Sequence, residues 1–334
     1  MTGGPAAPFF IVGNDRSGTT MLRLILDRGP DAAIPPESMF LTDLDLPAAR
    51  RRMEDQRGRQ ELMEEVWSHP KIRLWQLHGG PPRVPPDLAP DHALRFVLEA
   101  PYEAYAARFG KERWGDKTPH YVHHVDRLLE IWPEARVVVL VRDGRDVTLS
   151  LRRMPFGPNN AWAAGQWWAR GIRAGRRAER DHPGRVATVR YEDLVRDPPA
   201  EVARVCAFLG LRYTDAMLAL EQVDPARIVP DQRSWFPTLF DGITMNAAGR
   251  WRHEMPPRDQ RLFLAFARDE LAELGYPVPV GEVRGVTPLE ETLYRRHNQL
   301  MRNVNFVRLR VVQERGRELR LALRRRLADP VKRG

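Results

Sequence analysis

The sequence predicts an α/β fold: a central parallel sheet with helices on both faces, followed by a helical C-terminal tail. Three observations carry this. Strand-like runs are few, short and mostly apolar, at Phe9–Val12, Arg113–Gly115, Arg136–Val141 and Val186–Arg190, as in parallel strands covered on both faces. Helical patterns separate them, at Thr19–Asp27, Pro119–Trp132, Gly144–Leu151, Asn160–Arg180 and Pro199–Leu209, an alternation that favours right-handed crossovers. The first and third strands run directly into a polar turn and a helix start, which aims backbone N–H groups at an anion.

The first strand feeds Gly13-Asn14-Asp15-Arg16-Ser17-Gly18-Thr19-Thr20. Gly13 and Gly18 have the spacing of a nucleotide phosphate loop, so the sheet is P-loop-like. Thr19 stands where the nucleotide-hydrolase motif has its lysine, and the cation has moved to Arg16. Arg16, Ser17, Gly18, Thr19 and Thr20 all donate hydrogen bonds, by side chain or backbone. Phosphate binding accounts for five such donors in a row better than an ordinary turn does. After the helix, Pro35-Pro36 delivers Glu37, a candidate base or, beside Ser38, a helix N-terminal acid.

A long insertion follows, roughly 41–109, with a charged helical stretch (Ala48–Trp67) and a proline-rich connector at 81–86. The next strand ends in Gly115-Asp116-Lys117-Thr118-Pro119. Only four residues are lysines (Lys71, Lys111, Lys117 and Lys332), so a lysine at a strand end stands out. His120 lies three residues beyond it; His123 and His124 are expected on the following helix without a special role. The strand Arg136–Val141 places Arg142 at its carboxyl end, where ligands bind in open α/β sheets, and Ser150 about two turns into the next helix. Asp143 is a candidate cap for that helix, and Arg145 and Asp146 read as surface charges. A second irregular region, Val223–Gly249, is long enough for a lid or binding loop. No internal repeat is present.

The 334 residues suit one large α/β domain (1–284, with 41–109 as its insertion) and a basic helical extension (285–334). Hydrophobic residues make up 43% of the chain, enough for a sizeable core. Cys206 is the single cysteine and falls in a helical apolar pattern, so a disulfide framework and a thiolate metal cluster are excluded by count. The formal net charge is +9. Thirteen basic and five acidic residues lie beyond Arg284, so nearly the whole surplus belongs to the tail and no nucleic-acid partner is expected for the main domain. Leu300, Val304, Val307 and Val311 fall at helical spacing there, with Arg302, Arg308, Arg310 and Arg315 elsewhere. A helix packed on the domain with a solvated arginine face is the first expectation. Contact with an acidic partner or membrane surface, or self-pairing, is the second. The start of the chain has no leader pattern and no apolar run is long enough to cross a membrane, so a cytoplasmic protein is expected.

These motifs together resemble the sulfotransferases that use 3′-phosphoadenosine 5′-phosphosulfate (PAPS). The loop Arg16–Thr20 is similar to the family's 5′-phosphosulfate loop, and Arg142 with Ser150 to its 3′-phosphate clamp. Gly115–Pro119, Arg190-Tyr191-Glu192-Asp193-Leu194 and Gly249-Arg250-Trp251-Arg252 follow in the family's order. The stretch from Arg16 to Glu37 looks most like the tyrosylprotein branch and its bacterial relatives. The resemblance implies that Arg16 and the backbone of Ser17, Gly18, Thr19 and Thr20 hold the 5′-phosphate and sulfuryl group, and that Lys117 donates to the bridging oxygen. It implies that Arg142 and Ser150 bind the 3′-phosphate, Tyr191 contacts adenine, and Arg250 and Arg252 close over the phosphates. Glu37 is the first candidate for general base and His120 the second. Two departures stand out: Asp15 replaces a proline common before the loop's basic residue, and no Arg-Lys-Gly triplet occurs near Thr244–Asn246.

The expected activity is transfer of a sulfuryl group from PAPS to a hydroxyl of a small molecule or glycoside, without a metal and with 3′,5′-ADP as product. A P-loop kinase or NTPase is one alternative, but it wants a loop lysine and magnesium-binding acids. Protein-tyrosine O-sulfation is another, and a non-catalytic nucleotide binder a third.

Overall fold

The computed structural model describes residues 7–152, 154, 156–224, 227, 242–281 and 284–327, with side chains as far as residue 307. Most of the irregular region Val223–Gly249 lies outside the described residues, as do the side chains of Arg308, Arg310, Val311 and Arg315.

In chain order the elements are β1 (Phe9–Gly13), α1 (Thr19–Asp27) and β2 (Ala32–Ala33), then α2 (Phe40–Asp43), α3 (Leu46–Arg52), α4 (Gln56–Ser68), α5 (Pro70–Arg73) and α6 (Pro90–Arg108) in the insertion. Next come β3 (Arg113–Lys117), a 3-10 turn at Pro119–His123, α7 (Val125–Ile131), β4 (Arg136–Val141), α8 (Gly144–Leu151), α9 (Ala161–Asp181), β5 (Val186–Arg190), α10 (Tyr191–Arg196) and α11 (Pro198–Leu209). The chain continues through α12 (Trp251–Glu254), α13 (Pro257–Glu273) and α14 (Pro288–Leu327).

The sheet is parallel throughout, in the order β2-β3-β1-β4-β5. β1 is central and entirely buried, which is why its sequence is continuously apolar rather than alternating. Ile11 pairs with Lys117 and Gly13 with Leu140, so the carboxyl ends of β3, β1 and β4 stand side by side. The chain turns opposite ways out of β1 and into β4, and that switch in strand order opens the crevice where α/β sheets take ligands.

Leu22, Leu24, Ile25 and Leu26 of α1 join Val202, Val205 and Leu209 of α11 in a core against one face of β1, β4 and β5. On the other face Phe10, Trp114, Trp132 and Tyr102 interlock, with the Tyr102 and Trp114 rings stacked at 4.3 Å. Aspartates cap three of the helices: Asp45 at α3, Asp55 at α4 and Asp197 at α11 each accept a first-turn N–H. By contrast α1 opens on Gly18 in the left-handed region, with no side-chain cap. Its first-turn N–H groups are thus left for another acceptor.

Several boundaries differ from the sequence expectation. The charged stretch 48–67 is two helices, because Asp55 starts a second one and Gly58 packs against the backbone of Arg52, where a Cβ would come within 2.5 Å of Arg52 O. The helix expected over Pro119–Trp132 begins as a tighter turn, closed by Tyr121 N–H to Thr118 O at 3.0 Å and His124 N–H to Tyr121 O at 2.8 Å. His123 therefore ends the turn and His124 precedes α7. β2 is too short to leave a pattern in the sequence.

The chain divides into two compact units, residues 1–143 with 170–248, and 144–169 with 249–334. The first contains the sheet. In the second, α8 packs on α13 through Gly144, where a Cβ would lie 2.3 Å from the Phe263 ring. α14 docks there by Asn160 Nδ2–H to Tyr294 O at 2.9 Å and by the Arg261–Glu290 ion pair at 2.7 Å. Among the described residues no helix is long and apolar enough to cross a membrane.

Candidate active site

The loop after β1 has the shape its glycines require. Gly13 has φ 147°, and a Cβ there would sit 2.3 Å from Leu140 O. Gly18 has φ 96°, and a Cβ there would sit 2.5 Å from the Tyr191 ring. Between them Arg16 adopts φ 68°, a left-handed conformation that costs a non-glycine residue about 1 kcal/mol or more. Ser17 N–H closes the turn on Asn14 O at 3.2 Å. The Ser17 hydroxyl is buried and has no hydrogen-bond partner among the described residues. A buried orphan hydroxyl beside an uncapped helix start fits an oxyanion ligand such as a phosphate or sulfuryl group.

Lys117, at the end of β3, arrives alongside this loop. Its side chain is 4% exposed, and Nζ–H donates to Thr20 Oγ1 at 3.2 Å and to Glu37 Oε1 at 2.5 Å. Glu37 lies in the irregular segment between β2 and α2, not in a helix. Burial pushes the Glu37 carboxyl up, but the Lys117 charge and hydrogen bond, with Lys71 and Arg23 behind them, bring it below the usual carboxylate range. Asp15 shares this neighbourhood. Burial and the Glu37 charge raise it to about 6 against the pull of Lys117, His120 and Arg16. His120 is exposed, its ring 5.5 Å from that of His123 and 6.1 Å from that of His124. Among the described residues no group of three or more His, Cys, Asp and Glu side chains is placed to hold a metal ion.

Arg142, just past β4, stacks on the Tyr191 ring at 4.6 Å and donates to Arg16 O at 3.0 Å and Ala247 O at 2.5 Å. Burial and the Arg142 charge lower Arg16 to about 10. Two guanidinium groups held this close favour an anion between or beside them. Tyr191 is 6% exposed and belongs to the core under Arg142 and Gly18. Glu192 accepts the Asp143 N–H at 3.0 Å and fixes the turn after β4.

Ser150, Arg250 and Arg252 belong to the second unit. Ser150 is the penultimate residue of α8. Arg145 and Asp146, expected as surface charges, are 1% and 2% exposed. Asp146 accepts the Gly249 and Trp251 N–H groups at 2.6 and 2.9 Å, and the Arg145 guanidinium covers the Trp251 ring at 3.4 Å. Both are buried because they anchor the Gly249–Arg252 segment, a long-range contact that local sequence does not announce. In that segment Arg250 pairs with Glu254 at 2.6 Å, and the Arg252 guanidinium lies 4.9 Å from the Trp251 ring.

Sequence reasoning missed the buried polar cluster behind Glu37 and Lys117. The Ser38 hydroxyl lies 2.8 Å from Tyr121 Oη and 3.3 Å from Thr118 Oγ1, and Ser38 N–H donates to Thr118 Oγ1 at 3.2 Å. Tyr121 Oη also accepts the Leu41 N–H at 3.1 Å, and Tyr102 Oη–H donates to Asp116 Oδ2 at 2.9 Å. The only sequence signal was adjacency: Ser38 follows Glu37, and Asp116 and Thr118 flank Lys117.

An uncapped helix start behind a glycine-bounded loop, with a lysine and a carboxylate from neighbouring segments, gives an α/β protein whose sheet edge suits an anionic group beside an ion pair. Comparison gives the class its name. The chain matches the sulfotransferase family over residues 8–215 and a sulfotransferase domain over residues 159–275. It is 25% identical over 284 residues to a putative protein-tyrosine sulfotransferase of Caenorhabditis briggsae, covering 83% of this chain and 88% of that one. It is 27% identical to the nodulation protein NoeE of Sinorhizobium fredii, covering 80% of this chain and 65% of that one. In fold it is similar to the sulfotransferase domain of the Synechococcus PCC 7002 olefin synthase, with TM-score 0.54, 23% identity and 84% and 98% of the two chains covered. The chain belongs to the sulfotransferase family.

Proposed function

We propose that this protein transfers a sulfuryl group from PAPS to an acceptor hydroxyl. The observation that carries the proposal is Lys117, buried between Thr20 of the loop and Glu37. One ammonium group adjoins both the anion cradle and a carboxylate suited to receive the acceptor's proton. PAPS supplies an activated sulfuryl group whose leaving oxygen belongs to a phosphate.

Arg16, the N–H groups from Ser17 to Thr20 and the Ser17 hydroxyl hold the 5′-phosphate and sulfuryl oxygens. Lys117 donates a hydrogen bond to the oxygen that leaves, where negative charge builds as its bond to sulfur breaks. Glu37 takes the proton that the acceptor hydroxyl loses as the new oxygen–sulfur bond forms. Its lowered pKa keeps it ionised at neutral pH, ready to accept. Asp15 borders the same carboxylate, and His120, which acts on Asp15, is the alternative base. Arg142 binds the 3′-phosphate, and Tyr191 supports Arg142 through its ring and contacts adenine at its rim.

The acceptor is a hydroxyl on a small molecule or glycoside, and the insertion 41–109 covers its side of the sheet. The similarity to a putative protein-tyrosine sulfotransferase over most of both chains favours a tyrosine hydroxyl as the second reading. Release of 3′,5′-ADP from PAPS, followed against a panel of sugar, phenol and tyrosyl-peptide acceptors, tests both. Turnover with tyrosyl peptides alone selects the second, and turnover with none of the panel removes the acceptor assignment.

A further inference from the structure

The cluster behind the acid–base pair has a geometry that ordinary core packing does not require. Ser38, Asp116, Thr118, Tyr102 and Tyr121 are all 0% exposed. Five polar side chains buried together carry a desolvation cost that apolar residues of the same size avoid. Such a network gives a unique arrangement when its members satisfy one another. Here it joins two segments eighty residues apart, and the joined residues are the immediate neighbours of Glu37 and Lys117. Ser38 sits at the crossing: its N–H reaches Thr118 Oγ1 and its hydroxyl reaches both Thr118 Oγ1 and Tyr121 Oη. No regular element holds Glu37, whose segment, Ile34 to Met39, is irregular and ends on Met39 in the left-handed region at φ 59°. Lys117 is fixed by the sheet.

The geometry points to Ser38 as a positioning residue: clamped by Thr118 and Tyr121, it holds the irregular segment that carries Glu37 in register with Lys117 at the end of β3. The inference rests on the proposed roles of Glu37 and Lys117 and assigns Ser38 no contact with either substrate. Tyr121 serves the clamp twice, since its hydroxyl also accepts the Leu41 N–H on the far side of Glu37. The tight turn after β3, rather than a regular helix, brings Tyr121 inward to do this.

The test compares Ser38→Ala, Tyr121→Phe, Thr118→Val and Thr118→Ser with Glu37→Gln and the unchanged protein. Three quantities are read: kcat across pH, the Kd for 3′,5′-ADP, and the cooperativity of thermal unfolding. Ser38→Ala, Tyr121→Phe and Thr118→Val lower kcat by about tenfold, as expected for a misplaced reacting group, and leave the Kd for 3′,5′-ADP within about twofold. The acid limb of their kcat profile moves to higher pH, because a looser pair leaves Glu37 less stabilised by Lys117. Thr118→Ser, which keeps the oxygen, restores kcat and the limb. The inference is overturned if the three variants keep the unchanged protein's kcat and acid limb, or if kcat and nucleotide affinity fall together with a broadened unfolding transition. If Ser38→Ala fails to fold, Tyr121→Phe and the Thr118 pair decide by the same outcomes. Full activity of Glu37→Gln instead overturns the reading of the site itself, and is distinguishable because it does not depend on the clamp.

Discussion

Lys117 Nζ lies 2.5 Å from Glu37 Oε1, and the two groups come from chain segments that the fold joins only at the carboxyl edge of the sheet. In the proposed reaction, one hydrogen bond thus couples the group that would steady the leaving oxygen to the group that would take the acceptor's proton. On that proposal, Lys117 turning to the leaving oxygen would take away the leading charge that lowers the Glu37 pKa, making Glu37 a better base.

That coupling fixes a pH dependence. A general base works only when deprotonated, so kcat falls as pH drops through the Glu37 pKa, which Lys117 holds below the ordinary carboxylate range. Lys117→Met removes the counter-charge and leaves burial as the dominant influence, so the acid limb of the residual rate moves to higher pH. Glu37→Gln abolishes the limb and lowers kcat by about 100-fold or more. Rate profiles of the three proteins between acid and neutral pH check both statements.

The proposal gives Arg142 the 3′-phosphate and Arg16 the 5′-phosphate. The Arg142 guanidinium lies on the Tyr191 ring, and the proposal is tested by whether the effect of its loss is specific to the nucleotide that carries a 3′-phosphate. Arg142→Ala should lower 3′,5′-ADP affinity by about 10- to 100-fold, the weight of a charged hydrogen bond, and leave 5′-AMP affinity nearly unchanged. Arg16→Ala should weaken both nucleotides. Calorimetric titration of each variant with each nucleotide distinguishes these patterns. Equal losses for both nucleotides in Arg142→Ala contradict the assignment.

Gly18 is required on two independent grounds, a left-handed φ and the Tyr191 ring 2.5 Å from any added Cβ. Gly18→Ala should destabilise the fold by about 1–2 kcal/mol from the backbone conformation alone, with further loss from the ring clash. It should also weaken 3′,5′-ADP binding, because the first-turn N–H groups move. Chemical denaturation and the same titration measure the two effects separately.

These examples show what was legible in the sequence and what was not. The loop, Lys117, Glu37 and Arg142 were visible because glycine spacing and strand ends mark them locally. Strands β1, β3, β4 and β5 were visible because continuous burial leaves an apolar run. β2 is two residues long and leaves none. Asp146, Arg145 and Ser38 were misread or missed because their partners lie far away in sequence: Gly249 and Trp251 for Asp146, the Trp251 ring for Arg145, and Thr118 and Tyr121 for Ser38. A charged or polar residue shows its burial only through such partners.

Asp116 makes a prediction about stability. It is fully buried, and desolvation raises its carboxyl to about 6. A carboxyl with a raised folded-state pKa binds more protons folded than unfolded. Stability from this group is therefore complete below about pH 4 and is lost as pH rises to about 6. The two-unit shift corresponds to about 3 kcal/mol. Asp116→Asn, which keeps an acceptor for Tyr102, should flatten this part of the stability profile and be the more stable protein at pH 7. Denaturant midpoints of both proteins across that window measure the difference.

The account's central claim is that this site moves a sulfuryl group, with Lys117 and Arg16 as its working cations. The most direct measurement incubates sulfur-labelled PAPS with a mixed pool of hydroxyl acceptors and counts label recovered in the acceptor fraction for the unchanged protein, Lys117→Ala and Arg16→Ala. The account predicts labelled acceptor from the unchanged protein and loss of about 100-fold or more in each variant, with folding intact by circular dichroism. Full label transfer by Lys117→Ala and Arg16→Ala would contradict it, as would an unchanged protein that binds ATP with magnesium much more tightly than 3′,5′-ADP and transfers no label.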